Sequence, residues 1–127
     1  MASTVLDSSA ILSVLNEEPG ADVVIARLDD AFVSTVNYAE VVAKLVERGG
    51  TLAHAHAALR SIVVTTVDFD IGLARRTGAL RAETMKRGLS LGDRACLALA
   101  EREGIPAMTA DRSWIGAVAG IQIQLIR

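Results

Sequence analysis

Four carboxylates stand where short apolar runs stop or turn: Asp7 after TVL, Glu40 within VNYAEVVAKL, Asp93 in SLGDRACLALA and Asp111 after MTA. No His or Cys accompanies them at ligand spacing, so a cation held by this set would be bound through oxygen alone. That donor set favours Mg2+ or Mn2+ over Zn2+. Four unpaired carboxylates brought together would repel and shift one another's pKa values, and a divalent cation removes that cost. Such an ion can orient a water, lower its pKa and set it for in-line attack on a phosphodiester. Each acid also has a plainer use. Asp7 can cap a helix starting at Ser8, Asp93 can complete a capping box with Ser90, Asp111 can cap the turn DRSW, and Glu40 can pair with Lys44.

The elements that must position these acids follow from periodicity. β-rich runs are predicted at 3–7, 31–35, 62–67, 106–111 and 121–126; IVVTTV (62–67) is the clearest, and IQIQLI (121–126) alternates with period two. Helices are predicted from Ser8 to the Pro19-Gly20 stop, and over ADVVIARLDD, VNYAEVVAKLVERGG and TLAHAHAALRS. A long helix is predicted over DFDIGLARRTGALRAETMKRG, softened at Gly78, and another over SLGDRACLALAEREG. Strands separated by helices predict βαβ units: an α/β fold with a mostly parallel sheet and helices on both faces. Ligands of such sheets gather beyond the carboxyl ends of the strands. Asp7 and Asp111 fall there directly, and Asp93 opens the helix leading into the fourth strand. Glu40, about a turn and a half into its helix, can lean back toward the same rim because helical side chains tilt N-terminally.

Composition sets the frame. The chain of 127 residues is expected to form one domain, 1–127, with a core that needs no staples. The one cysteine, Cys96, excludes a disulfide framework and a thiolate cluster and reads as a small core residue. Hydrophobic residues make up 51% of the chain and aromatics 3%, an excess that suits a partner or dimer face. No basic leader and no long apolar span is seen, so the expected setting is the cytoplasm. The net charge of −2 argues against a purely electrostatic nucleic-acid binder. Six of the thirteen basic residues, however, fall between positions 75 and 94: Arg75, Arg76, Arg81, Lys86, Arg87 and Arg94. That stretch is either a phosphate-holding stripe or a solvated helix face. His54 and His56, two apart, point away from each other on a helix and offer no zinc site. There is no Gly-rich phosphate loop and no G-x-S-x-G elbow. Trp114, just past Asp111, reads as a core residue.

Four segments, VLDSSAIL, STVNYAEVVAKL, GLSLGDRACLALA and MTADRSW, together resemble the PIN-domain ribonucleases, and among them the VapC toxins of bacterial toxin–antitoxin modules. The resemblance runs nearly the full length and keeps the order of elements. It implies a three-layer α/β/α PIN-like fold and a Mg2+- or Mn2+-dependent endoribonuclease. It places Asp7, Glu40, Asp93 and Asp111 on the family's acidic quartet, with Ser8 and Thr109 as supporting polar residues. It further implies an RNA substrate, a homodimer and silencing by a cognate antitoxin protein.

On this reading Asp7 and Asp93 chiefly hold the metal, Asp111 and Glu40 complete its surroundings, and Glu40 or Asp111 helps take the proton of the attacking water. The basic residues of 75–94 grip the RNA backbone. Other readings stay open. A haloacid-dehalogenase-type phosphatase would want an Asp where Ser9 stands, and a receiver-like domain would want a Lys near the last strand, yet none follows Lys86. A non-catalytic RNA- or protein-binding scaffold on the same fold is the remaining alternative.

Overall fold

The computed structural model describes residues 2–127. Five strands form one sheet: β1 (Thr4–Leu6), β2 (Ala31–Ser34), β3 (Thr65–Val67), β4 (Ala107–Thr109) and β5 (Ile123–Leu125). Their spatial order is β3-β2-β1-β4-β5, and every neighbouring pair is parallel. Seven α-helices connect them: α1 (Ser8–Leu15), α2 (Ala21–Ile25), α3 (Thr35–Glu47), α4 (Leu52–Arg60), α5 (Ile71–Ala79), α6 (Arg81–Thr84) and α7 (Leu91–Glu103). The chain winds outward from β1 to β3, then returns to lay β4 on the other side of β1. The point where the winding reverses therefore lies between β1 and β4, the place where an open α/β sheet leaves a crevice.

The pleat divides the core into two layers. Val5, Phe32 and Ala107 pack with Leu73, Leu80, Leu97, Leu99 and Trp114 on the face covered by α5 and α7. Leu6, Ala31, Val33 and Met108 pack with Ile11, Val24, Val41 and Leu59 on the face covered by α1 to α4. Successive strand residues alternate between these layers because side chains in a strand alternate in direction. The result is the three-layer α/β/α arrangement that the alternation of strands and helices predicts. Trp114, fully buried, is a core residue as expected.

Three elements differ most from the sequence expectation. The helix expected over ADVVIARLDD is limited to Ala21–Ile25, and Leu28–Asp30 forms a separate 3-10 turn. The run 62–67 pairs only over Thr65–Val67, at the sheet edge, where β2 offers Phe32, Val33 and Ser34 as partners. Ile62 is turned into the core and Val63 is 76% exposed, so this apolar stretch serves a loop and not a buried central strand. The long helix expected over 68–88 is interrupted at Leu80 and not at Gly78, which lies within α5. It ends in a 3-10 turn, Met85–Arg87, closed by Gly88 at φ 66.

Candidate active site

Parallel strands end at one edge, and that edge collects the acids. Asp7 directly follows β1 and is the N-cap of α1, its Oδ1 accepting from the Ala10 backbone N–H (2.8 Å). Ser9 Oγ also donates to Oδ1 (2.7 Å), and Thr109 Oγ1 donates to Oδ2 across 102 residues of chain. The register explains this reach. Leu6 pairs with Met108, and the Asp7 N–H donates to the Met108 carbonyl (3.1 Å), so the last residue of β4 faces the first residue beyond β1. Asp7 is only 3% exposed. Burial pushes its pKa up to about 6, against the opposing pull of hydrogen bonds from Thr109, Ser9 and Ala10, and the charge of Asp93 raises it further.

Asp93 sits in the first turn of α7 in a capping box. Its Oδ2 accepts from the Ser90 N–H (2.9 Å), and Ser90 Oγ accepts from the Asp93 N–H (3.1 Å). Its plainer use is thus real, and the same placement brings its charge to bear on Asp7. Glu40 comes from α3, and its Oε1 accepts from Asn37 Nδ2 (2.8 Å). The alternative pairing with Lys44 is not made among the described residues; Lys44 approaches Glu47 instead (3.7 Å). Cys96 in α7 is fully buried, and its thiol pKa is pushed up first by burial and then by the charges of Asp7, Asp93 and Glu40.

Asp111 stands apart. It is exposed, and its Oδ1 accepts from the Ser113 N–H (2.9 Å) and Ser113 Oγ (2.7 Å), capping the turn Arg112–Trp114. Its link to the other acids runs through Thr109 Oγ1, which accepts from the Asp111 N–H (3.0 Å) while donating to Asp7. Among the described residues, no group of three His, Cys, Asp or Glu side chains is close enough to hold a metal ion. The donor chemistry nonetheless suits a hard cation. Asp7 is a desolvated carboxylate without a basic partner, and among the described residues Asp93 Oδ1, Glu40 Oε2 and Asp111 Oδ2 accept no hydrogen bond.

The supporting residues are partly reassigned. Thr109, expected as a supporting residue, donates to Asp7. Ser9 Oγ donates to Asp7 and accepts from the Ala110 N–H (3.0 Å), whereas among the described residues the Ser8 side chain makes no hydrogen bond to Asp7. Sequence reading missed the contact of Asn37 with Glu40; the signal available was the spacing of Asn37 one helical turn before Glu40.

The basic stretch does not form a continuous open stripe. Arg94 is 8% exposed and donates through Nη1 to the Thr77 carbonyl (3.0 Å), tying α7 to α5. Arg76 forms a two-pronged pair with Glu101, at 2.6 and 2.8 Å. Arg87 donates to the carbonyls of Ser113 (3.1 Å) and Ile115 (2.9 Å), fastening the loop that follows Asp111. Arg75, Arg81 and Lys86 remain exposed with no ion pair among the described residues. His54 and His56 are both exposed on α4, away from the acids.

A doubly wound parallel sheet with carboxylates at its winding reversal is the class of protein defined so far. A family model described as the PIN domain matches residues 4–120, and the chain belongs to the PIN domain family. Solved structures share the fold. A DNA-bound VapBC from Salmonella typhimurium superposes with a TM-score of 0.78 at 19% identity, covering 100% of both chains. VapC20 of Mycobacterium tuberculosis, described as a sarcin-ricin loop cleaving toxin, gives 0.76 at 18% identity, covering 94% of this chain and 98% of that one. A toxin–antitoxin complex from Klebsiella pneumoniae gives 0.75 at 17% identity, covering 98% of each. A comparison with curated proteins finds no match.

Proposed function

We propose that this protein, as a single domain over 1–127, is a Mg2+- or Mn2+-dependent endoribonuclease and the toxin of a toxin–antitoxin pair. The observation that carries the reading is Asp7: a buried carboxylate at the winding reversal, bonded to the ends of two elements and facing the charge of Asp93. An acid is costly to ionise there unless a cation shares the site. Membership of the PIN domain family, and neighbours described as toxin–antitoxin complexes and as an RNA-cleaving toxin, support it.

Asp7 and Asp93 would hold the ion, with Glu40 and Asp111 completing its surroundings. Bound there, a divalent cation supplies a water of lowered pKa and charge stabilisation for phosphodiester hydrolysis. Ser9 and Thr109 fix the Asp7 carboxylate, and the capping box fixes Asp93. Glu40 Oε2 and Asp111 Oδ2 are the oxygens free to take the proton of the attacking water. Arg75, Arg81 and Lys86 are the residues left to hold the RNA backbone. Exposed Met85, Leu91 and Ile115 border the helix and loop that carry Asp93 and Asp111, and suit contact with an antitoxin protein. A homodimer and a cytoplasmic setting complete the reading; among the described residues no helix is long and apolar enough to cross a membrane.

The test is cleavage of total RNA by purified, antitoxin-free protein in Mn2+ or in EDTA, comparing wild type with Asp93→Asn. Discrete fragments are expected only for wild type in Mn2+, with 5′-phosphate and 3′-hydroxyl ends, and with no 2′,3′-cyclic phosphate because water and not the 2′-hydroxyl is the nucleophile. Fragments ending in 2′,3′-cyclic phosphate would refute this chemistry. Tight RNA binding without cleavage would favour the scaffold alternative.

A further inference from the structure

Glu40 is held from two sides, by an amide and by a missing methyl group. Asn37 lies one turn before it in α3 and is 1% exposed. Its Nδ2 donates both to Glu40 Oε1 (2.8 Å) and to the Gly92 carbonyl (3.0 Å). One side-chain amide thus ties the acid of α3 to the first turn of α7, a single residue before Asp93. The two acceptors fix which way the amide points, since a flipped amide would set Oδ1 against a carboxylate and a carbonyl. Asn37 Oδ1 is buried and has no hydrogen-bond partner among the described residues. A half-satisfied buried amide is costly, so packing alone does not account for Asn at this position.

Gly92 supplies the second side. A Cβ built on it would overlap both carboxyl oxygens and the carboxyl carbon of Glu40. Its φ is not positive, so backbone freedom is not what glycine provides there. Glycine within a helix costs up to about 1 kcal/mol relative to alanine. Here that cost coincides with the space in which the carboxylate lies.

We infer that Asn37 and Gly92 are positioning residues for Glu40: Asn37 grips one carboxylate oxygen, and Gly92 leaves room for the group to lie against the start of α7, beside Asp93. The inference rests on the nuclease reading above. It makes the α3–α7 contact part of the active site, set by a donor and a space, neither of which touches RNA or metal.

The experiment compares Asn37→Ala, Glu40→Gln, their double variant and Gly92→Ala, by single-turnover RNA cleavage in Mn2+ and by RNA affinity in EDTA. Asn37→Ala and Gly92→Ala should each slow cleavage about 10- to 100-fold, with RNA affinity within about twofold, as for removal of residues that orient a metal site. In the Glu40→Gln background, Asn37→Ala should cost less than about threefold more, because the charge it positions is already gone. An equal loss in both backgrounds would mean a merely structural role and overturn the inference, as would wild-type cleavage by either single variant. In metal-free protein, the Asn37 side-chain NH2 signals should shift in Glu40→Gln and Gly92→Ala by 15N NMR; signals unmoved in both overturn the arrangement even if Asn37→Ala fails to fold. A wild type that cuts no RNA removes the nuclease reading and this inference with it, whereas a wild type that cuts while Asn37→Ala cuts equally well removes the inference alone.

Discussion

Replacing Asp7 by Asn should stabilise the metal-free protein at neutral pH. Burial lifts the native pKa of Asp7 from 3.8 to about 6. Each unit is worth about 1.4 kcal/mol, so ionising Asp7 in the folded state costs about 3 kcal/mol relative to the unfolded chain. Because the native state holds the proton more tightly, this stability is fully present below about pH 4 and is lost as pH rises through about 6. Asn removes the charge at some expense in hydrogen bonding. Its amide nitrogen would face Thr109 Oγ1, which must then accept where it now donates to Asp7, while it already accepts from the Asp111 N–H. That mismatch costs about 1 kcal/mol. The net gain at pH 8 is about 2 kcal/mol, a rise in Tm of roughly 6 °C for a domain of this size. The two stability curves should cross at about pH 4 to 5. Thermal melts in EDTA from pH 4 to 8 read this directly, and Mn2+ at pH 7.5 should raise the Tm of wild type and not that of Asp7→Asn. Parallel melting curves for the two proteins across that range would refute a desolvated Asp7.

Thr109→Val removes the hydroxyl that serves both Asp7 and the Asp111 N–H. It should cost about 2 kcal/mol in urea unfolding and move the pH at which Asp7-linked stability is lost further upward. Arg87→Ala frees the loop 113–116, and faster proteolytic nicking within that loop is the expected result; an unchanged cleavage map would mean the loop holds itself. Charge reversal at Arg81 and Lys86 should weaken RNA binding and flatten its salt dependence, by a slope of about one per lost phosphate contact. Reversal at Arg94, buried against Thr77, should instead destabilise the fold. Trp114→Ala opens the centre of one core layer and should cost about 3–5 kcal/mol, read by far-UV circular dichroism since the only tryptophan is removed.

Much of the fold is legible in local pattern. Apolar runs, the Pro19-Gly20 stop and the Ser90–Asp93 capping box mark elements whose causes lie within a few residues of one another. The expected parallel α/β sheet follows from strand–helix alternation. Local pattern fails where a neighbour decides. IVVTTV has the composition of a central strand, yet β2 gives it only three partners at an edge. The helix over 68–88 breaks at Leu80, one of the fully buried side chains of the α5–α7 layer, and not at the glycine whose propensity marks it.

The candidate site divides in the same way. By itself the sequence determined which residues are acids, and that three of them stand at the end or start of an element with Glu40 further into its helix, because charge, capping and periodicity are local properties. Only the tertiary structure decided what each of them contacts. The β1–β4 register joins Asp7 to Thr109 across 102 residues. The α3–α7 packing sets Glu40 against Gly92 through Asn37. Folding likewise turns Arg76 and Arg94 from a basic stripe into an ion pair and a buried tie. Burial and hydrogen-bond pairing depend on atoms distant along the chain: burial raises the pKa of Asp7 against the pull of its hydrogen bonds, while Asp111 is left exposed on its own turn.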